Sequence, residues 1–344
     1  MLPGTDPREK IIKACQDLCL FSSNGKSIFL GLFDGHGKEG ELVSNLCLKE
    51  ADDFFYSSMN EYDTNPIEFL EELIQRLIRK IKQPGLTVDA ISSGCACVFT
   101  LIHNDSIFTI NIGDCRAVLG TLKVNSMIDP RHITGYKERK AVGDLSSMRR
   151  SSLTKRPAPI QFTVDHVTSD QSEFMRIIKA GGKLIQAETA SENNDKTYLV
   201  YAPHSNIPGI KLTRAIGDLI GENIGIIPKP DKFTHKLSGD DEFIIIGSAG
   251  IWDVMKNDEV VNFVSKYRIL ANRRFEISLE VCVVTPSNSC IAQLLCEEAR
   301  VRWLKKVENE DGLIEDISCV ILEFDQRVEK RSNTFYRMPI DRII

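Results

Sequence analysis

The chain lacks any long apolar run: its densest stretch, residues 243–252, is interrupted by Gly247, Ser248 and Gly250. That excludes a conventional membrane-spanning helix, which needs about 20 apolar residues in succession. An excess of positive charge is also missing, since 43 lysines and arginines face 48 aspartates and glutamates for a formal charge of -5. This argues against a general nucleic-acid binder, which relies on neutralising phosphates. The first residues, Met1-Leu2-Pro3-Gly4, show neither a secretory apolar core nor a glycine directly after the initiator for myristoylation. The ten cysteines do not fall in paired loop spacings, and they read as buried, reduced thiols of an intracellular protein, cytoplasmic or nuclear. Cys95-Ala96-Cys97 puts two thiols on one face of a strand. The only other close pair, Cys15 and Cys19, sits in an apolar stretch without a nearby histidine, so neither zinc nor a disulfide is expected.

What is present is a globular composition, 42% hydrophobic and 26% charged over 344 residues, enough for one large core or two ordinary ones. Short segments rich in β-branched and aromatic residues predict strands at 27–33, 96–102, 106–112, 116–120, 242–247 and 317–324. Asn104-Asp105 supplies a tight turn, so the second and third of these are antiparallel. Asn65-Pro66 followed by Ile67, Leu70, Leu73, Ile74, Leu77, Ile78 and Ile81 predicts a capped amphipathic helix with a core-facing stripe. Further helices are expected at 172–180, stopped by Gly181-Gly182, and at about 288–306. Antiparallel strands with separate helices favour an α+β layered sandwich over a parallel sheet. Residues 123–161 are polar and basic and read as a surface insertion, either a solvated loop or a docking site. Within it Arg149-Arg150-Ser151-Ser152 matches a basophilic kinase target, a motif short enough to arise by chance. Residues 183–210 read as a flap near the site or a long loop, and 326–344 as a C-terminal tail.

Chemistry concentrates first in Phe33-Asp34-Gly35-His36-Gly37, at the mouth of a buried strand. An Asp there can ligate a hard cation, the Gly carbonyl can approach the same ion, and the His can pass a proton to a leaving group. Alone, an Asp-Gly beside a strand is more often a plain turn. Other acids recur at strand ends beside small residues: Asp114 after Gly113, Asp218 after Gly217, Asp253 after Ser248-Ala249-Gly250, and Glu315-Asp316 before the last strand. Carboxylates converging from separate strand ends are how oxygen sites for magnesium or manganese are built.

The order of these motifs resembles the metal-dependent type 2C serine/threonine protein phosphatases, from about Lys13 to Phe324, and suggests one domain over 8–325. The matching blocks are Gln16-Asp17, Phe33 to Gly37, Ser93 to Ala96, Asn111 to Val118, Thr163 to His166, Glu173 to Gly182, Leu212 to Asp218, Asp241 to Val254 and Asp316-Ile317-Ser318. The resemblance implies a four-layer αββα sandwich, two antiparallel sheets flanked by helices. It implies that Asp34 bridges two metal ions, that the Gly35 carbonyl ligates one, and that His36 is the general acid. Asp17 would hold metal-bound water, and Asp114 would contribute to a third, looser position. Such an ion pair, roughly 4 Å apart, activates water and steadies the phosphoryl charge.

Three departures from the family pattern stand out. Ala249 replaces an aspartate that ligates metal directly, and a methyl group cannot take its place. The last ligand falls on Glu315, one methylene longer, or on Asp316, one position displaced. The phosphate-binding arginine expected five positions before Asp17 falls on Ile12, with Lys13 the nearest cation and, in a strand, on the opposite face. Even outer-shell changes at metal sites lower affinity or activity roughly 10- to 100-fold, and each lost 1.4 kcal/mol of transition-state binding is about a further tenfold. The expectation is a pseudophosphatase or a very weak enzyme binding Mg or Mn, one ion rather than two; the alternative is an active Mn- or Mg-dependent phosphatase. Asp253, one helical turn from Ala249, offers partial compensation, although the family is already acidic there. The partner would be a phosphoprotein or a regulatory protein, with 123–161 as the candidate docking segment. Only sixteen residues precede Asp17, less than the family usually has, so a missing N-terminal segment is also expected.

Overall fold

The computed structural model describes every residue except 7–10, 13, 59–62, 123–155, 188–197, 278–289, 308–312 and 325–344. A short ribbon, β1 (Thr5–Asp6) with β2 (Ile11–Ile12), precedes β3 (Asp17–Ser23) and β4 (Ser27–His36). With β5 (Gly94–His103), β6 (Ser106–Ile112) and β13 (Asp231–Lys236), these form a first sheet in the order β13-β6-β5-β4-β3, and β12 (Ile216–Gly217) pairs with the start of β5. The second sheet runs β15-β14-β7-β8, from β7 (Arg116–Thr121), β8 (Ala158–Gln161), β14 (Asp241–Gly247) and β15 (Cys319–Glu323). Every pairing in both sheets is antiparallel.

Central strands read as continuous apolar runs because both of their faces are buried. In β4, Phe29 and Phe33 point to a helical layer while Leu30 and Leu32 point between the sheets. The same two-residue period divides β5, with Cys97, Phe99 and Leu101 on the helical side and Ala96 and Val98 on the inner side. In β14, Phe243 and Ile245 meet the other helical layer and Ile244 and Ile246 face inward. Helices α1 (Gly40–Ser57) and α2 (Pro66–Ile81) cover the first sheet, and α6 (Asn257–Ile277) and α7 (Ile291–Val307) cover the second. The result is the expected αββα sandwich. Asn65 caps α2 by accepting from the Glu68 amide at 3.4 Å, with Pro66 in the first turn.

Between the sheets' strands lies a smaller unit: α3 (Gln171–Lys179), then β9 (Lys183–Gln186), β10 (Tyr198–Tyr201) and β11 (Pro208–Ile210), which form a three-stranded antiparallel sheet. Of 183–210, the segments 183–186, 198–201 and 208–210 are strands of this sheet, and 188–197 lies outside the described residues. Its own core is Ile177, Val200, Ala202, Ala215, Ile224 and Ile226. Of the basic insertion, 123–155 lies outside the described residues, the kinase-like motif included, while Ala158–Gln161 is an edge strand on β7. Cys95 and Cys97 are buried free thiols. Among the described residues no helix is long and apolar enough to cross a membrane.

Candidate metal centre

The carboxylates gather at one end of the inner layer because register puts them there. Asp17 and Asp34 are directly opposite in the β3–β4 ladder, so their side chains share a face. Asp34 continues the Leu30–Leu32 face of β4, and small Ala96 is its partner in β5. Asp114 sits in the turn that carries the chain from β6 in one sheet to β7 in the other, a turn made with Gly113 at φ 101°. Two short helices complete the rim, α4 (Leu219–Glu222) behind Asp218 and α5 (Ala249–Trp252) directly after β14. The Ala249 amide donates to Asp34 Oδ2 at 3.3 Å, so position 249 touches the centre although its methyl cannot ligate.

Burial makes these acids costly to ionise. Asp17 is 1% exposed, and neither of its oxygens finds a well-formed hydrogen bond among the described residues. Desolvation, then the charge of Asp316, pushes its pKa up to about 7 against the nearby hydroxyls of Ser318 and Ser248. Asp34 is also held well above the carboxylate range, by desolvation first and then by Asp17, Asp114 and Glu315. Asp114 is raised chiefly by burial, and the opposing influence is Lys211. The Lys211 ammonium lies 3.2 Å from Asp114 Oδ2 and donates to Asp253 Oδ2 at 2.7 Å.

His36 is held apart from this group. Its Nε2 lies 2.5 Å from Oδ2 of the fully buried Asp218, and its Nδ1 has no hydrogen-bond partner among the described residues. Burial alone would lower the imidazole pKa, but the Asp218 charge and hydrogen bond override it and the net direction is upward. The pair exists because His36, Gly94 and Gly217 are successive register partners across β4, β5 and β12. A Cβ on Gly94 would lie 2.7 Å from His36 Nε2. Asp218 completes the arrangement in the left-handed region, at φ 46°, which Asp tolerates better than most residues.

The remaining expected residues divide. Gly35 lies in β4 with no room for a side chain, since a Cβ would come 2.5 Å from Ser44 Oγ. Asp316 accepts from the Gly4 amide and, at 2.8 Å, from the Gln16 amide, so both of its oxygens tie down the N-terminal segment. Glu315 is exposed and reaches Asp34 and Lys211 through its charge. Ile12 is in β2, and Lys13 is outside the described residues. Asp253 holds Lys211. Sequence reasoning missed Lys211, whose signal was a lone cation in Gly209-Ile210-Lys211-Leu212, and it missed Asp218 as the partner of His36.

Unpartnered, buried carboxylate oxygens on Asp17 beside Asp34 suit a hard divalent cation, which needs only one or two protein carboxylates when water completes its shell. Asp114 and Asp253 differ, because they already face an ammonium. Among the described residues no three or more Asp, Glu, His or Cys side chains come together as a ligand set.

Comparison with known proteins bears on the whole chain. The family model for Protein phosphatase 2C matches residues 5–139 and 142–301. Two Arabidopsis thaliana relatives are similar: "Probable protein phosphatase 2C 65", 26% identical over 92% of this chain and 74% of its own length, and "Probable protein phosphatase 2C 61", 27% identical over 86% and 76%. The solved serine-threonine phosphatase 2C of Toxoplasma gondii superposes with a TM-score of 0.57 at 15% identity, covering 91% of each chain. A C. elegans sex determining protein gives a TM-score of 0.61 at 17% identity, over 95% of this chain and 64% of that one. At such identities the superpositions establish the fold alone. The family match and the sandwich with its acids at one end agree, and the chain belongs to the protein phosphatase 2C family.

Proposed function

We propose that this chain is a pseudophosphatase, or a very weakly active member of its family, that binds a phosphoprotein or a regulatory protein. The observation that carries the reading is Ala249: at the position touching Asp34 the chain offers a backbone amide and a methyl group where the resembling enzymes have a ligating carboxylate. Loss of such a ligand lowers metal affinity by at least the 10- to 100-fold typical of outer-shell changes. Asp17 and Asp34 would hold one Mg or Mn ion, with the Gly35 carbonyl and Glu315 as further donors; when bound, that ion supplies charge that activates water and steadies phosphoryl oxygens. His36, whose hold on a proton Asp218 strengthens, would deliver that proton to the departing serine or threonine oxygen. The nine described cysteines are free thiols, which suits a reducing intracellular compartment.

The intact His36–Asp218 pair favours the second reading, an active Mn- or Mg-dependent phosphoserine and phosphothreonine protein phosphatase. The two are separated by assaying purified protein with Mn and a phosphopeptide beside its Asp34→Asn variant. Absence of turnover above the variant supports the noncatalytic reading; turnover that Asp34→Asn abolishes refutes it. Ala249→Asp is the companion, and a large gain in rate would locate the defect at that position.

A further inference from the structure

We propose that the Lys211 ammonium is a built-in cation of this centre, taking the counter-charge role between Asp114 and Asp253 so that this half binds no divalent ion. The two halves of the centre present opposite problems. On the Asp17 side, buried carboxylate oxygens lack partners and the demand for positive charge is unmet. On the Asp114 side Oδ2 likewise has no well-formed hydrogen bond among the described residues, but a cation faces it: Lys211 Nζ is 3.2 Å from Asp114 Oδ2 and 2.7 Å from Asp253 Oδ2. Asp114 is only 5% exposed, so a counter-charge there has to be either a bound ion or a side chain delivered by the fold.

The fold delivers it. Lys211 follows β11 directly, and the next residue, Leu212, forms a bridge with Val167, while Thr213 N donates to His166 O at 2.9 Å. The backbone on both sides is thereby fixed, and the four-carbon stem reaches the rim. Asp253 and Asp114 both lie within ion-pair distance of the one ammonium. An ammonium and a metal ion cannot both sit on the same oxygens, because each needs direct contact and the two repel at that range. Ala249 touches the other half, where its amide donates to Asp34 Oδ2 at 3.3 Å and its methyl group offers no ligand. A monovalent group replaces a divalent one, which leaves the centre acidic and directs any single ion to Asp17 and Asp34.

The inference concerns the same site as the proposed function but does not depend on turnover, so the test counts ions instead. Metal-stripped wild type, Ala249→Asp and the double variant Lys211→Ala with Ala249→Asp are titrated with Mn by calorimetry, with free Mn read by electron paramagnetic resonance. The double variant is expected to take one more ion than wild type, and Ala249→Asp alone no more than wild type. Equal counts in the double variant and wild type, or an extra ion in Ala249→Asp with Lys211 intact, would overturn the proposal. Should the double variant fail to fold, wild type labelled with 15N-lysine decides: the Lys211 ammonium signal is expected to persist at saturating Mg, and its displacement by Mg refutes a built-in cation.

Discussion

The metal-free protein should lose stability as pH rises through the weakly acidic range, and Asp17 is the reason. Its carboxyl is displaced from the ordinary value of 3.8 to about 7 by burial and by Asp316. Between those values the folded chain keeps a proton that the unfolded chain has released, so unfolding is favoured progressively as pH increases. At about 1.4 kcal/mol per pKa unit, the displacement corresponds to at most about 4 kcal/mol lost from pH ~4 to pH ~7. Asp34 and Asp114 move in the same direction and steepen the slope. Glu173 is shifted downward, so its contribution disappears only as pH falls below the usual glutamate range, outside this window. Urea unfolding in chelator, from about pH 5 to about pH 8, should therefore give a falling stability in wild type and a clearly shallower fall in Asp17→Asn. Added Mn should flatten the wild-type slope, since an ion replaces the proton as counter-charge. Equal slopes in wild type and Asp17→Asn, or stability that rises with pH across the window, would refute the account of Asp17 as a buried acid awaiting a cation.

Two further outcomes test the scaffold around the centre. Glu173 is 4% exposed and accepts from Arg176 Nη1 and Nη2 at 2.7 Å each, from Arg214 Nη2 at 2.8 Å and from Thr213 Oγ1 at 2.5 Å. Glu173→Gln should cost about 3 kcal/mol in equilibrium unfolding, because it leaves the Arg176 guanidinium without its charge partner and Arg214 with Asp231 alone. Asp218→Asn should lower the His36 pKa, since it removes the strongest influence opposing burial; a nuclear magnetic resonance titration of the imidazole that shows no downward movement would disprove the pairing's role.

The fold was legible where a strand's pattern was simple. Residues 27–33, 96–102, 106–112 and 242–247 are strands because their faces are both buried, and an apolar run with β-branched residues says so directly. β13 was not legible: in Asp231–Lys236 only Phe233 is buried, since this edge strand leaves its other side chains partly in solvent. α1 was passed over although Val43, Cys47, Ala51, Phe54 and Phe55 all reach the core, because Asp52-Asp53 and scattered polar residues blur the stripe. β9 to β11 are short and partly exposed, which makes them resemble a loop until they pair.

Local pattern identified which acids could matter, but not which of them would be free to act. Asp34 and Asp17 both stood out in the motif order, and the β3–β4 register sets them directly opposite each other. Asp316 looked equivalent to Glu315 in sequence, yet two backbone amides from segments 312 and 300 positions away consume its oxygens. Asp218 looked like one more strand-end acid, yet the absence of a side chain at Gly94 turns it toward His36. Lys211 stood out only as a lone cation, because its significance depends on Asp114 and Asp253, 97 and 42 positions away. Charge compensation is thus the part of the centre that only three dimensions reveal: a carboxylate's role is set by whichever cation, amide or imidazole the fold brings to it. By that rule the two halves of the centre differ in kind: Asp114 and Asp253 share the Lys211 ammonium, whereas position 249 offers Asp34 only a backbone amide.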